Sequence, residues 1–359
     1  MKMISTEVLL SAVRRSGHGP TSGLHTQIDD VLWPTQGPLD NVATMTTPIA
    51  LREALGLYDL PSRLRETWLA LRGAEDVPPS RFGLSSLRLY NPRLGIPLWR
   101  GKFIIPNRAI ITNLFNHLQT PIKDGWSVRV TQVRDFRGRG MTYDSHNGTD
   151  LAIPVGTTVV APAPGRVVRR YCEYNRGGNK LVLDHGGGLF TCCAHLARFL
   201  VEEGQQLERG ETMALSGYSG LDAIASGPCG IPHVHFNVWH KGEPVDPFAH
   251  GDAASLWVGG TPQPPSSAID DTPFVPTRFD EHALARAIDG CLTRKVREKL
   301  QSCPSVYDAG CMLISEWCYY PTRFPVRPNI FSETTERRGL LTMPLAPAEI
   351  TSAVFADDL

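Results

Sequence analysis

The alternation of apolar and polar residues changes character several times along the 359-residue chain. Residues 1–45 carry Gly, Pro, Ser and Thr with few periodic apolar positions and read as an irregular arm. From Pro48 to Arg72, Leu51, Leu55, Leu57, Leu60, Leu64, Trp68 and Leu71 recur at three- and four-residue steps. That spacing predicts one amphipathic helix or two short ones, with Pro61 marking the break. Residues 78–106 read as loop with short extended pieces such as 86–90. Between Trp126 and His250 the period shortens. Apolar, β-branched runs at 126–133, 158–161, 165–171, 180–184, 189–196, 212–216 and 234–239 are separated by glycine-rich turns such as Gly177-Gly178-Asn179. Short strands at this spacing predict a mainly β domain, an antiparallel sandwich or partly open barrel. Residues 256–278 hold Gly259-Gly260 and five prolines and read as a linker. A helical period returns over 280–302, and a second helix is expected over 306–319. The expected organisation is an N-terminal helical and irregular region (1–120), a β domain (121–255), the linker (256–278) and a C-terminal helical region (279–359).

Composition narrows the classes of function. The chain has 36 Lys+Arg against 36 Asp+Glu, a formal balance of zero, which argues against a nucleic-acid partner. No apolar run reaches the ~18 residues of a membrane-spanning helix, so no integral membrane segment is expected. Near the start, Val8-Leu9-Leu10-Ser11-Ala12-Val13 is cut off by Arg14-Arg15 and is too short for a secretory signal. The eight cysteines are scattered without a Cys-x-x-Cys spacing. Those of the tail (Cys291, Cys303, Cys311, Cys318) read as helix packing rather than a metal site.

Chemistry concentrates in three segments of the β region: His146-Asn147-Gly148-Thr149-Asp150, Ala194-His195-Leu196, and His233-Val234-His235. On a strand, His233, His235 and Asn237 share one face while Val234, Phe236 and Val238 share the other. The apolar face can pack on a core and leave two imidazoles side by side, about 6–7 Å apart at the backbone. A turn can fold His146 and Asp150 onto one ion. Catalytic zinc sites commonly use three N and O ligands and keep a fourth position open. His146, Asp150 and one of His233 and His235 supply such a set, leaving His195 and the other imidazole to move protons or stabilise an oxyanion. His185 and His240, in a turn and at a strand end, read as non-catalytic, and Cys229 as a loop thiol.

Residues 143–248 resemble the lysostaphin/LytM-type zinc metallopeptidases, a family that cleaves peptide cross-links of bacterial cell walls. The resemblance rests on His146-x-Gly148-x-Asp150, Gly156-Thr157-x-Val159-x-Ala161, Gly178-Asn179, Asp184-His185-Gly186, Ala194-His195-Leu196, His233-x-His235-Phe236 and Gly242-x-Pro244-Val245-Asp246-Pro247. It implies a LytM-like duplicated hybrid-motif fold with zinc held by His146, Asp150 and His235, and with His195 and His233 as catalytic imidazoles. Asn179 is then a turn residue of architectural rather than catalytic use. The implied activity is endopeptidase hydrolysis of peptidoglycan stem peptides or cross-bridges, in the periplasm or outside the cell. A non-catalytic LytM-like module that binds wall material or activates a partner amidase is the alternative, and a zinc hydrolase of another amide or ester a third reading. Two departures bear on substrate preference. Cys193 stands where the family has an aromatic, and Cys229-Gly230-Ile231-Pro232 intervenes between Gly227-Pro228 and the His-x-His.

Overall fold

The computed structural model describes residues 48–74, 77–119, 125–221 and 229–359, so the arm read over 1–45 lies outside the described residues. Helices α1 (Leu51–Ala54) and α2 (Leu60–Arg72) open it, and Pro61 sits in the first turn of α2, where its missing N–H costs nothing. After β1 (Ser80–Arg81), a 3-10 helix spans Leu84–Leu89 where an extended piece was expected. The cause is local. The Ser86 hydroxyl accepts from Gly83 N–H at 3.1 Å while Ser86 N–H donates to Gly83 O at 3.0 Å, which closes a turn. Helix α3 (Pro92–Trp99) leads into β2 (Arg108–Asn113).

The β region continues with β3 (Trp126–Ser127), β4 (Thr149–Ala152), β5 (Thr158–Val160), β6 (Gly165–Glu173), β7 (Gly178–Asp184) and β8 (Leu189–Phe199). It ends with β9 (Gln206–Leu207), β10 (Thr212–Ser216), β11 (His233–His240) and β12 (Glu243–Val245). The expected strand over 126–133 is only the two residues of β3. Beyond it, the Asp144 carboxylate captures Thr131 N–H at 3.2 Å and the Ser127 hydroxyl at 3.0 Å, and these side-chain bonds replace a ladder.

Ten of these strands join a further one, β13 (Ser352–Phe355), in a large mixed sheet that is not closed. Its order is β13-β2-β4-β11-β8-β7-β6-β9, antiparallel except for the β13–β2 pair. β1 and β3 form a separate parallel pair. The eleven residues of β8 are buried throughout, pair with β7 along one edge and serve two neighbours in turn along the other. Leu189 to Ala194 pair with β11, whereas Leu196 to Phe199 pair with β10, which in turn carries β5. The sheet forks between those pairings, at His195. Val234, Phe236 and Val238 face the core beside Leu181, Leu183, Val159 and Met213, as their alternation predicts.

Residues 256–278, read as a linker, are pinned to this core. Leu256 and Trp257 are buried within it, and Thr277 donates to the Asp184 carboxylate through N–H at 2.9 Å and hydroxyl at 2.6 Å. The helix expected over 280–302 is two, α4 (Glu281–Asp289) and α5 (Arg294–Gln301). Gly290 caps the first, and Leu292 N–H leaves the helical pattern to donate to Arg323 O at 2.9 Å. Helix α6 (Val306–Tyr319) lies against the sheet through Glu316, which accepts from Arg169 at 2.9 Å and Arg323 at 2.8 Å, all three buried. All eight cysteines are free thiols, those at 192, 193, 291, 311 and 318 buried. Among the described residues, no helix is long and apolar enough to cross a membrane.

Candidate metal centre

Register places the candidate ligands next to one another. His235 of β11 stands directly opposite Asp150 of β4, and Asp150 is in turn opposite Asn113 of β2. The turn before β4 brings in His146, and it needs glycine at 148. A Cβ there would lie 2.7 Å from Phe236 O and 2.8 Å from His235 Nε2. With that approach allowed, His146 Nε2 lies 3.1 Å from Asp150 Oδ1 and 3.2 Å from His235 Nδ1, and His235 Nδ1 lies 2.7 Å from Asp150 Oδ1. All three residues are buried.

Each of these groups is oriented by a second partner. His146 Nδ1 donates to Leu114 O at 2.6 Å, which turns the lone pair of Nε2 inward. The other carboxylate oxygen of Asp150 accepts from Asn113 Nδ2 at 2.9 Å. His235 Nε2 donates to Asn147 Oδ1 at 3.3 Å, and the same oxygen accepts from Asn237 Nδ2 at 3.0 Å. Asn237 Oδ1 accepts from the Tyr319 hydroxyl at 2.8 Å, so α6 supports this chain of bonds from outside the β region. Imidazoles that bind metals through one nitrogen characteristically donate from the other to a carbonyl or carboxylate.

The donor chemistry suits zinc. Zn–N and Zn–O bonds of about 2.0–2.1 Å set tetrahedral edges of about 3.3 Å. The observed separations of 3.1 and 3.2 Å are close to that edge, and the 2.7 Å between His235 and Asp150 needs to open by about 0.6 Å to match. Electrostatics agree with that donor set. Burial pushes the Asp150 carboxyl up, but the nearby His146 and His233 imidazoles, together with hydrogen bonds from His146 and His235, hold the group well below the usual carboxylate range. Burial lowers His235 as well, against the opposing pull of Asp150. An ionised Asp150 carboxylate and a His235 imidazole biased toward its neutral form are the protonation states that bind a cation.

His195 and His233 stand beside this trio, their ring centroids 4.6 Å apart. His233 Nε2 is 3.6 Å from Asp150 Oδ1, and its Nδ1 donates to Ile231 O at 2.7 Å. His195 Nδ1 donates to Ser219 O at 2.8 Å. Both rings therefore have Nδ1–H committed to a backbone carbonyl and Nε2 as the basic nitrogen. Burial, and then the charges of His233 and His235, push His195 well below the ordinary imidazole value. Its backbone has φ of +60°, a left-handed conformation unusual for a non-glycine residue, at the fork of β8. The cleft over these groups is lined by Asn113, Tyr143, Tyr218 and Ile231 and, from the N-terminal region, by Phe82, Ser86, Leu89 and Tyr90.

All five residues expected at the site thus come together. Those that sequence reasoning missed are the supports: Asn113, the Leu114 carbonyl, Asn147 and Tyr319. Asn237 carried a readable signal, since it shares the strand face of the two histidines. Of the residues between Gly227-Pro228 and the His-x-His, Gly230 O accepts from the Trp99 indole at 3.2 Å and Ile231 orients His233, so this segment builds a wall of the cleft. Residues 222–228 lie outside the described residues. His185 is engaged by Pro164 O and the Thr191 hydroxyl, and His240 by Thr335 O. Cys229 is exposed.

Residues 144–247 match the model of Peptidase family M23. The chain is 38% identical over 101 residues to the peptidoglycan DD-endopeptidase ShyA of Vibrio cholerae, covering 28% of this chain and 22% of that protein. It is 27% identical over 132 residues to the murein hydrolase activator NlpD of Escherichia coli K12, covering 36% of this chain and 32% of that one. A solved zinc-containing peptidase from Vibrio cholerae aligns at 29% identity over 39% of this chain and 38% of its own, with a TM-score of 0.29. The chain spans only about a fifth of the length of the first of these relatives and a third of the second.

Proposed function

We propose, on the premise that residues 144–247 are an M23 peptidase domain of the LytM type, that this chain is a zinc metalloendopeptidase. Its substrates in this reading are the stem peptides or cross-bridges of peptidoglycan. The observation that carries the reading is the convergence of His146 Nε2, Asp150 Oδ1 and His235 Nδ1 to separations of 2.7–3.2 Å, each oriented by a further hydrogen bond. A zinc ion held there supplies Lewis acidity, polarising a scissile carbonyl and lowering the pKa of water. The protein's own groups do the rest. His195, kept neutral by burial, accepts a proton at Nε2 from the attacking water. His233, fixed by Ile231 O, presents Nε2 to the cleft, where a proton held on that nitrogen would stabilise the developing oxyanion. Asn113 and Leu114 O keep the ligands from swinging toward the substrate.

The test is digestion. Zinc-loaded protein releases peptide fragments from purified sacculi, and Asp150→Ala does not. Release that survives in a His146→Ala/His235→Ala double variant would sink the proposal. The likeness to an activator of murein hydrolases supports a second reading, a non-hydrolytic module that stimulates a partner amidase. Protein that binds zinc, leaves sacculi intact and accelerates an amidase would establish that one. Either reading puts the protein where peptidoglycan is, outside the cytoplasmic membrane, and cell fractionation checks the location.

A further inference from the structure

A second group of metal-ligating side chains lies apart from the first: His117, Asp246 and His250 each offer one ligand atom, all within 4.8 Å of one another. They come from the segment after β2, the end of β12 and the loop that follows. His117 Nε2 is 2.7 Å from Asp246 Oδ2, the same separation as His235 from Asp150 in the first centre. The imidazoles of His117 and His250 meet edge to face with centroids 4.5 Å apart. Two of the three groups have the orienting partners a metal site requires. His250 Nδ1 donates to Phe248 O at 2.9 Å, which makes Nε2 its basic nitrogen. Asp246 Oδ1 accepts from Phe248 N–H at 3.0 Å, which leaves Oδ2 for the cluster. The Asp246 side chain is only 1% exposed while that of His117 is 26% exposed, so an ion would enter and keep water on the His117 side. The nearby cation, Arg337, donates to the backbone carbonyls of Asp246 and Phe248 and not to the carboxylate.

We infer that His117, Asp246 and His250 form a second zinc-class divalent cation site, structural in role, that fastens the segment after β2 to the end of β12. That segment is the one that orients the first centre. Asn113 holds Asp150, Leu114 O holds His146, and Asn116 N–H and the Gln119 amide both donate to His146 O at 2.9 and 3.1 Å. Two imidazoles and a carboxylate are a borderline-soft set suited to zinc rather than to calcium or magnesium.

Elemental analysis of the full chain after zinc reconstitution and removal of excess metal tests the inference without any activity measurement. Wild type is expected to hold two zinc ions. His117→Ala and His250→Ala should each hold one, and His117→Gln and His250→Gln, which keep hydrogen-bonding capacity, should also hold one if the alanine variants misfold. The His146→Ala/His235→Ala double variant should retain one ion at the second site, even if the proposed activity is wrong. A single wild-type zinc that persists in His250→Gln, or no zinc at all, overturns the inference.

Discussion

Replacing Asn113 by alanine isolates the support of one candidate ligand. The Asn113 amide sits cross-strand from Asp150 and donates to its outer carboxylate oxygen at 2.9 Å, leaving Oδ1 turned toward His146 and His235. A hydrogen bond to a charged group contributes about 1.5–3 kcal/mol. Without it the carboxylate can rotate, and a bound ion must reorder it. If all of that energy bears on binding, zinc affinity falls by roughly 10- to 150-fold at 1.4 kcal/mol per decade. Losses of about 10- to 100-fold on removing outer partners of metal ligands fall in the same range. Competition against a chromogenic chelator measures the dissociation constant directly, and sacculus digestion at saturating zinc shows whether activity recovers once the site is filled. An affinity within about twofold of wild type would refute the reasoning, because the Asn113 bond would then contribute nothing to ligand orientation.

Tyr319→Phe removes the hydroxyl that donates to Asn237 at 2.8 Å and leaves a buried amide oxygen without that donor. A loss of about 1–3 kcal/mol in denaturant unfolding is expected, and an unchanged midpoint would count against the link from α6 to the site. His185, whose imidazole burial pushes down to about 4, stabilises the fold above the ordinary histidine pKa of 6.5. As pH falls from 6.5 toward 4 the unfolded chain takes up the proton first, so this contribution of at most about 3 kcal/mol is progressively lost. His185→Gln should flatten that part of the pH–stability curve, and an identical slope in both proteins contradicts the assignment. A chain cut to residues 120–255 lacks β2 and with it Asn113 and the Leu114 carbonyl. It should aggregate or bind zinc weakly, and a soluble fragment with full zinc affinity would show that these supports are dispensable.

The strands were legible wherever apolar and polar residues alternate with a period of two, as at His233 to Asn237, where one face is apolar and the other, also largely buried, carries the site. The runs in β7 and β8 were readable because burial on both faces leaves short apolar runs, Leu181 to Leu183 and Cys192 to Ala194, between glycine-rich turns. The candidate ligands were legible because short motifs fix them on a turn and a strand. Their supports were not, because Asn113 reaches Asp150 across 37 residues and Tyr319 reaches Asn237 across 82, and no local pattern encodes such pairings. The same limit hid the fastening of 256–278 to the core, where proline and glycine content suggested a tether. The 3-10 turn at Leu84–Leu89 and the break at Gly290 were lost to single side-chain and capping bonds that outweigh periodicity.

Strand β13 lies parallel beside β2, with Ser352 opposite Arg108, and β2 flanks the strand that carries Asp150. During synthesis at about 5–20 residues per second, the partner that covers β2 therefore arrives tens of seconds after β2 itself. Throughout that interval the nascent chain carries a bare sheet edge of Ala109, Ile110 and Ile111, a template for unwanted pairing with other chains. A holding chaperone would meet that need. It would also delay the cleft over His195 and His233 from forming until translation had moved well past its own residues.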